Sequence, residues 1–165
     1  MYNHAKDLRS GRYSQFGRPY LITTVTENRD PIFQNFNIAR LMIHELHACC
    51  DQLHIESLAW VLMPDHLHWL FLLNHSLLSE VLIRVKGRSA YAINRYRGGH
   101  ARVWQKGFHD HAIRKEEDIK AIARYIIANP LRAGLVDNIG EHLFSDGTRP
   151  VVHAKPVTTP PTKSL

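Results

Sequence analysis

A chain of 165 residues with 44% hydrophobic content can bury one ordinary core, so a single compact domain is expected. Its 21 Lys and Arg against 15 Asp and Glu give a net charge of +6, which favours polyanionic partners such as nucleic acid without requiring one. The only cysteines, Cys49 and Cys50, are neighbours that cannot staple distant segments, and the apolar run Leu67 to Leu73 is too short for a bilayer; with no signal-peptide pattern at Met1-Tyr2-Asn3-His4, a reducing cytoplasm and no membrane are expected.

After a polar, arginine-dotted start, Tyr20-Leu21-Ile22-Thr23-Thr24-Val25-Thr26 has the β-branched and aromatic content of a strand, closed by Glu27 to Pro31. From Asn37 the apolar residues Ile38, Leu41, Met42, Leu46, Cys49 and Leu53 recur at three and four, the period of an amphipathic helix. Ile55 to Met63 and His66 to Leu73 are extended apolar runs about a Pro64-Asp65 turn and predict an antiparallel hairpin. A second helix is predicted from Ser79 to Arg97, stopped by Gly98-Gly99, and a short strand within Gly107 to Arg114. Lys115-Glu116-Glu117-Asp118 places acidic residues in the first turn of a third helix, ending near Asn129 because Pro130 follows. The order β-α-β-β-α-β plus a helix predicts an α+β, ferredoxin-like split βαβ fold: one antiparallel sheet, two helices on one face, and an added C-terminal helix on the other. The domain is expected over residues 1–148, and the basic, Pro-containing tail 149–165 is expected to be flexible.

His66-Leu67-His68 is the first chemical candidate, since side chains two apart on a strand share a face and two imidazoles so placed can share a metal ion. Chance yields roughly one such pair in a chain this rich in histidine, and His109-Asp110-His111 is another, so spacing alone leaves packed, hydrogen-bonded histidines open. The first pair opens a central apolar strand after a tight turn, where backbone can fix ligand geometry; the second sits on a weaker polar strand. On the third helix Tyr125 and Asn129 fall just outside the stripe of Ile119, Ile122, Ala123 and Ile126, where a boundary tyrosine and a helix-terminal asparagine are the ordinary readings. On the second helix Arg84, Arg88, Tyr91 and Arg95 lie within about 60° of one another, opposite a core face of Val81, Leu82, Val85, Ala92, Ile93 and Tyr96. That basic stripe with an aromatic in it suits phosphates, or is simply a solvated face.

Five blocks in order complete the pattern: Tyr20 to Thr26 with Arg29; Met63-Pro64-Asp65-His66-Leu67-His68; Lys86-Gly87; Val103 to His111; and Tyr125-Ile126-Ile127-Ala128-Asn129-Pro130-Leu131-Arg132-Ala133-Gly134-Leu135-Val136. Together, over roughly Arg18 to Ser145, they resemble the single-tyrosine transposases of the HUH class, and within it the REP-associated tyrosine transposases of bacteria. The resemblance implies that His66 and His68 are metal ligands and that Tyr125 attacks a DNA phosphodiester, leaving a 5′-phosphotyrosine and a free 3′-hydroxyl. It implies Asn129 as a third ligand or metal-facing group, where related transposases carry glutamine, and Mg²⁺ or Mn²⁺ as the ion. It also implies single-stranded hairpin DNA as substrate, with Arg12, Arg18, Arg84, Lys86, Arg88, Tyr91, Arg95, His111 and Arg132 as DNA contacts. Both a monomer and a site-sharing dimer are compatible with it.

Two other readings belong to different classes. A non-catalytic single-strand-binding module on the same fold would bind hairpins without forming a covalent adduct. A zinc hydrolase using His66, His68 and a third ligand such as His111 would need no DNA.

Overall fold

The computed structural model describes Ser14 and residues 16–114, 118–135 and 151–154. Strand β1 (Arg18–Val25), helix α1 (Phe36–Leu53), β2 (Glu56–Met63), β3 (His66–Leu73), α2 (Leu78–Arg97) and β4 (His109–Ala112) follow in the expected order. Then come α3 (Ile119–Ile127), a single turn α4 (Asn129–Arg132), and β5 (Val151–Ala154). The strands form one sheet in the order β4-β1-β3-β2-β5, every neighbouring pair antiparallel. The first four strands with α1 and α2 are the expected ferredoxin-like arrangement.

Local chemistry sets the helix limits. Asn35 caps α1, its side chain accepting from the backbone N–H groups of Asn37 at 3.0 Å and Ile38 at 3.2 Å. Helix α2 stops at Gly98, which adopts φ 69°, a conformation open to glycine without a Cβ clash.

Alternation along the strands divides the interior in two. Trp60 and Leu62 of β2 and Leu67, Trp69 and Phe71 of β3 meet α1 and α2, through Met42, Leu46, Val81, Leu82 and Val85 among others. Val61 and Met63 of β2 and Leu70 of β3 point the other way and pack with Ala123 and Ile126 of α3 and with Ile113. The third helix therefore lies on the face that α1 and α2 leave free, as expected.

One expectation is corrected and two details are added. Asp118 is not inside the first turn of α3 but caps it, its carboxylate accepting from Lys120 N at 2.8 Å, and Lys115 to Glu117 lie outside the described residues. The helix ends at Ile127 with Ala128 as its C-cap, near Asn129 as expected, and Asn129 opens α4 with Pro130 in that first turn, where a missing N–H is harmless. Within residues 149–165, Val151–Ala154 pairs with Ala59 to Leu62, so backbone groups of β2 that would otherwise face solvent are bonded. No helix among the described residues is long and apolar enough to cross a membrane.

Candidate functional site

Strand β3 begins directly after the Pro64-Asp65 turn, so His66 and His68 share the sheet face of Leu70, the face on which α3 packs. Their rings lie 4.8 Å apart, centre to centre, at 80° to one another. Each ring is engaged through Nδ1. His68 Nδ1 is 2.7 Å from Thr23 Oγ1, because Thr23 is the residue of β1 directly opposite His68. His66 Nδ1 is 2.6 Å from Asp65 Oδ1, and the other oxygen of that carboxylate accepts from Arg29 Nη1 at 3.1 Å. Nε2 of both rings is outside these bonds.

Burial, with the charge of His66 second, pushes His68 down to about 4, so that ring is neutral at physiological pH and keeps a lone pair for a ligand. Burial alone would raise Asp65, but its hydrogen bonds to His66 and Arg29 and their charges outweigh it and hold the carboxyl below the ordinary range. Asp65 is thus anionic where an imidazole N–H needs an acceptor.

These features fit a hard or borderline divalent ion: two imidazoles on one rigid strand, each restrained at one nitrogen. Among the described residues no three His, Cys, Asp or Glu side chains are grouped to hold an ion. The three-histidine site of a zinc hydrolase is not formed among them. His111 and His109 nevertheless stand on the same face, one strand beyond β1: His109 pairs with Thr23 and His111 with Leu21.

Tyr125 is on α3, 52% exposed. The guanidinium of Arg132 lies 4.3 Å from its ring centroid, one helical turn into α4. Asn129 makes a long 3.4 Å contact from Nδ2 to the Tyr125 carbonyl, leaving Oδ1 outside that contact.

The basic stripe is on the other side of the molecule. Tyr91 and Arg95 are exposed, as expected, but Arg88 donates to Glu45 of α1 at 2.6 Å and Arg84 to Gln52 of α1 at 2.9 Å. Helix α1 thus contributes the acidic partner that α2 lacks. With Leu41 and Tyr96, the residues Glu45, Arg88, Tyr91 and Arg95 line a groove of about 670 Å³ between the two helices. Tyr96 is half exposed and accepts a bond from Asn37, so it is not a core residue, and Ala92 lines the same groove; the groove between α1 and α2 thus takes in positions that periodicity assigned to the interior.

Other predicted contacts have protein partners. Lys86, lowered by burial, donates to the carbonyls of Gln105 at 2.8 Å and Gly107 at 2.6 Å, fixing the loop after the buried Trp104. Arg18 donates from Nε to the Ile113 carbonyl at 3.1 Å. Arg12 lies outside the described residues. Sequence reading gave no role to Thr23, Asp65 or Arg29; adjacency to His66 signals Asp65, but only strand register finds Thr23.

Residues 14–129 match the family model described as Transposase IS200 like. A REP-associated tyrosine transposase of Escherichia coli K12 is 31% identical over 98 residues, covering 58% of this chain and 56% of that protein. A relative from Haemophilus influenzae is 26% identical over 113 residues, covering 62% and 64%. The chain therefore spans less than two thirds of these curated relatives. Among solved structures, a REP-associated tyrosine transposase bound to a REP hairpin shares the fold, with a TM-score of 0.67, 24% identity, and coverage of 82% of this chain and 80% of that one.

Proposed function

The chain belongs to the IS200-like transposase family, and from that premise we propose that it is a metal-dependent single-stranded DNA endonuclease and strand transferase acting at or near REP-type hairpins. The observation that carries this reading is the pair of imidazoles, each bonded at Nδ1 with Nε2 outside the hydrogen bonds among the described residues, on the sheet face against which the Tyr125 helix packs. Tyr125 Oη attacks the phosphorus, the bond to the 3′ oxygen breaks, and a 5′-phosphotyrosine and a free 3′-hydroxyl result. His66 and His68, with Asn129 as an oxygen ligand, would hold a Mg²⁺ or Mn²⁺ ion, which when bound would polarise the phosphodiester and stabilise the charge that develops there. The phosphotyrosine conserves the energy of the broken bond, so a DNA 3′-hydroxyl can reverse the attack and rejoin strands without a nucleotide cofactor.

His68 is suited to ligation because it is already neutral, and His66 because its Nδ1 proton has an anionic acceptor. Arg132 places a cation over the nucleophile's ring. For binding, Tyr91 and Arg95 offer a stacking surface and a phosphate partner, with Arg84 and Arg88 reaching phosphates from their α1 contacts. Arg12, Arg18 and His111 complete the proposed DNA contacts, and Lys86 contributes by shaping the loop that leads to β4. The functional unit is residues 1–148, working in the cytoplasm where such DNA is found.

The test is incubation of the purified protein with labelled single-stranded hairpin DNA flanking its own gene, with Mn²⁺ or EDTA, beside Tyr125→Phe, on a denaturing gel. A metal-dependent, denaturation-resistant adduct absent from Tyr125→Phe is expected. Hairpin binding without an adduct, unchanged by EDTA, would leave a non-catalytic DNA-binding module.

A further inference from the structure

The two candidate ligands are held by different parts of the chain. For His68 the partner is Thr23, fixed by eight consecutive β1–β3 register pairs from Arg18↔Leu73 to Val25↔His66. For His66 the partner is Asp65, which is itself braced. Thr26, fully buried, donates from its backbone N–H to the Asp65 carbonyl at 2.9 Å and from Oγ1 to the same oxygen at 3.0 Å, and Phe33 N donates to the Pro64 carbonyl at 3.0 Å. These bonds seat the loop after β1 on the hairpin turn. The loop then turns back through two consecutive non-glycine residues of positive φ, Asn28 at 54° and Arg29 at 53°, which brings the Arg29 guanidinium to the Asp65 carboxylate. Left-handed backbone at two successive L-residues is costly and persists only where the surroundings impose it.

An imidazole with no partner at Nδ1 has two ring orientations related by a half-turn about the bond to Cβ, and two neutral tautomers. Only one combination presents an unprotonated Nε2 to a given point. An acceptor at Nδ1 selects it, because the proton then resides on Nδ1 and the ring cannot turn without breaking the bond.

We propose that Asp65 and Thr23 are positioning residues that lock His66 and His68, respectively, with Nε2 directed at one shared cation, and that Arg29 holds Asp65 in place. In the ligating form His66 Nδ1–H donates to Asp65 Oδ1 and His68 Nδ1–H donates to Thr23 Oγ1. The two restraints come from separate segments, a hairpin turn and a facing strand, so removing one leaves the other ring set. Arg29, two-thirds exposed, is the outermost member and has the smallest effect. This inference rests on the reading of His66 and His68 as metal ligands.

The test is Mn²⁺ binding to the full chain without DNA, followed by loss of the free-ion electron paramagnetic resonance signal, with the melting temperature of each metal-free variant alongside. Asp65→Ala and Thr23→Val are each expected to raise the Mn²⁺ Kd by roughly 10- to 100-fold. Thr23→Ser, which restores the hydroxyl, should return to within about twofold of wild type, and Asp65→Asn, an uncharged acceptor, should fall between wild type and Asp65→Ala. Melting temperatures that stay together while Kd values separate distinguish positioning from a structural role. If Asp65→Ala and Thr23→Val bind Mn²⁺ like wild type while His66→Ala does not, the positioning inference is wrong and the metal reading survives. If His66→Ala and His68→Ala bind Mn²⁺ like wild type, the metal reading fails and the inference with it.

Discussion

At Tyr125 the local environment is a half-exposed phenol with a guanidinium stacked on its ring. A cation over an exposed aromatic ring contributes about 0.5–1 kcal/mol, equivalent to roughly two- to fivefold in rate if it acts only by holding the ring. Arg132→Ala should therefore slow adduct formation on saturating hairpin by about that factor in a time course. A loss near 100-fold would instead put Arg132 on the scissile phosphate. The cysteines make a separate test. Cys49 is fully buried, and burial, partly opposed by Arg84 and Arg88, raises its thiol to about 11, whereas Cys50 is only half-buried. Alkylation at mildly alkaline pH should modify Cys50 well before Cys49, as read by peptide mass spectrometry. The folded value of Cys49 lies above its ordinary 9.0, so its contribution to stability is complete below pH 9 and is lost as pH rises towards 11. Cys49→Ala should lose less stability over that window in denaturant titrations.

Among the elements, α1 depends visibly on its cap: Asn35→Ala removes the acceptor for two backbone N–H groups and should cost about 1 kcal/mol in a denaturation curve. The α1–α2 pair carries a sharper prediction. Glu45 is buried and holds Arg88, so Glu45→Gln weakens that charge pair and frees the guanidinium; if the groove binds DNA, hairpin affinity should rise. Arg95→Ala should weaken binding and reduce the salt slope of log affinity by about 0.7, the single-strand value for one phosphate. No change in either would remove the groove from the DNA path. Most of these elements were legible in the sequence because they are long and periodic: the β1 run, the α1 stripe and the Gly98 stop each state their own limits. What was not legible depends on a second element. Glu45 lies 43 residues before Arg88, so a helical wheel of α2 shows an unopposed basic stripe. Val151–Ala154 is too short for any periodicity and becomes a strand only because β2 offers an open edge.

In the whole molecule one sheet serves two interiors, and the candidate site sits on the smaller one. His66 and His68 stood out in the sequence as neighbours on one strand, whereas Tyr125 and Asn129 became candidates only through the family resemblance. Their setting was not legible, since Thr23, Arg29 and His109 are brought to that face by strand register and by a loop folded back on the hairpin. The pairing of β5 with β2 also makes Val151–Ala154 part of the sheet, so deleting residues 149–165 should expose the β2 edge, lower the melting temperature and promote association at high concentration, measurable by light scattering. The division into two interiors has a dynamic consequence. The inner helices close over a broad apolar layer, whereas α3, nine residues long, has only Ala123 and Ile126 fully buried beneath it. Amide hydrogens of α3 should therefore exchange by an opening of much lower free energy than those of α1, α2 and the central strands. The helix bearing Tyr125 would then be its own cooperative unit, able to lift from the sheet and return while the frame holding the histidines stays folded.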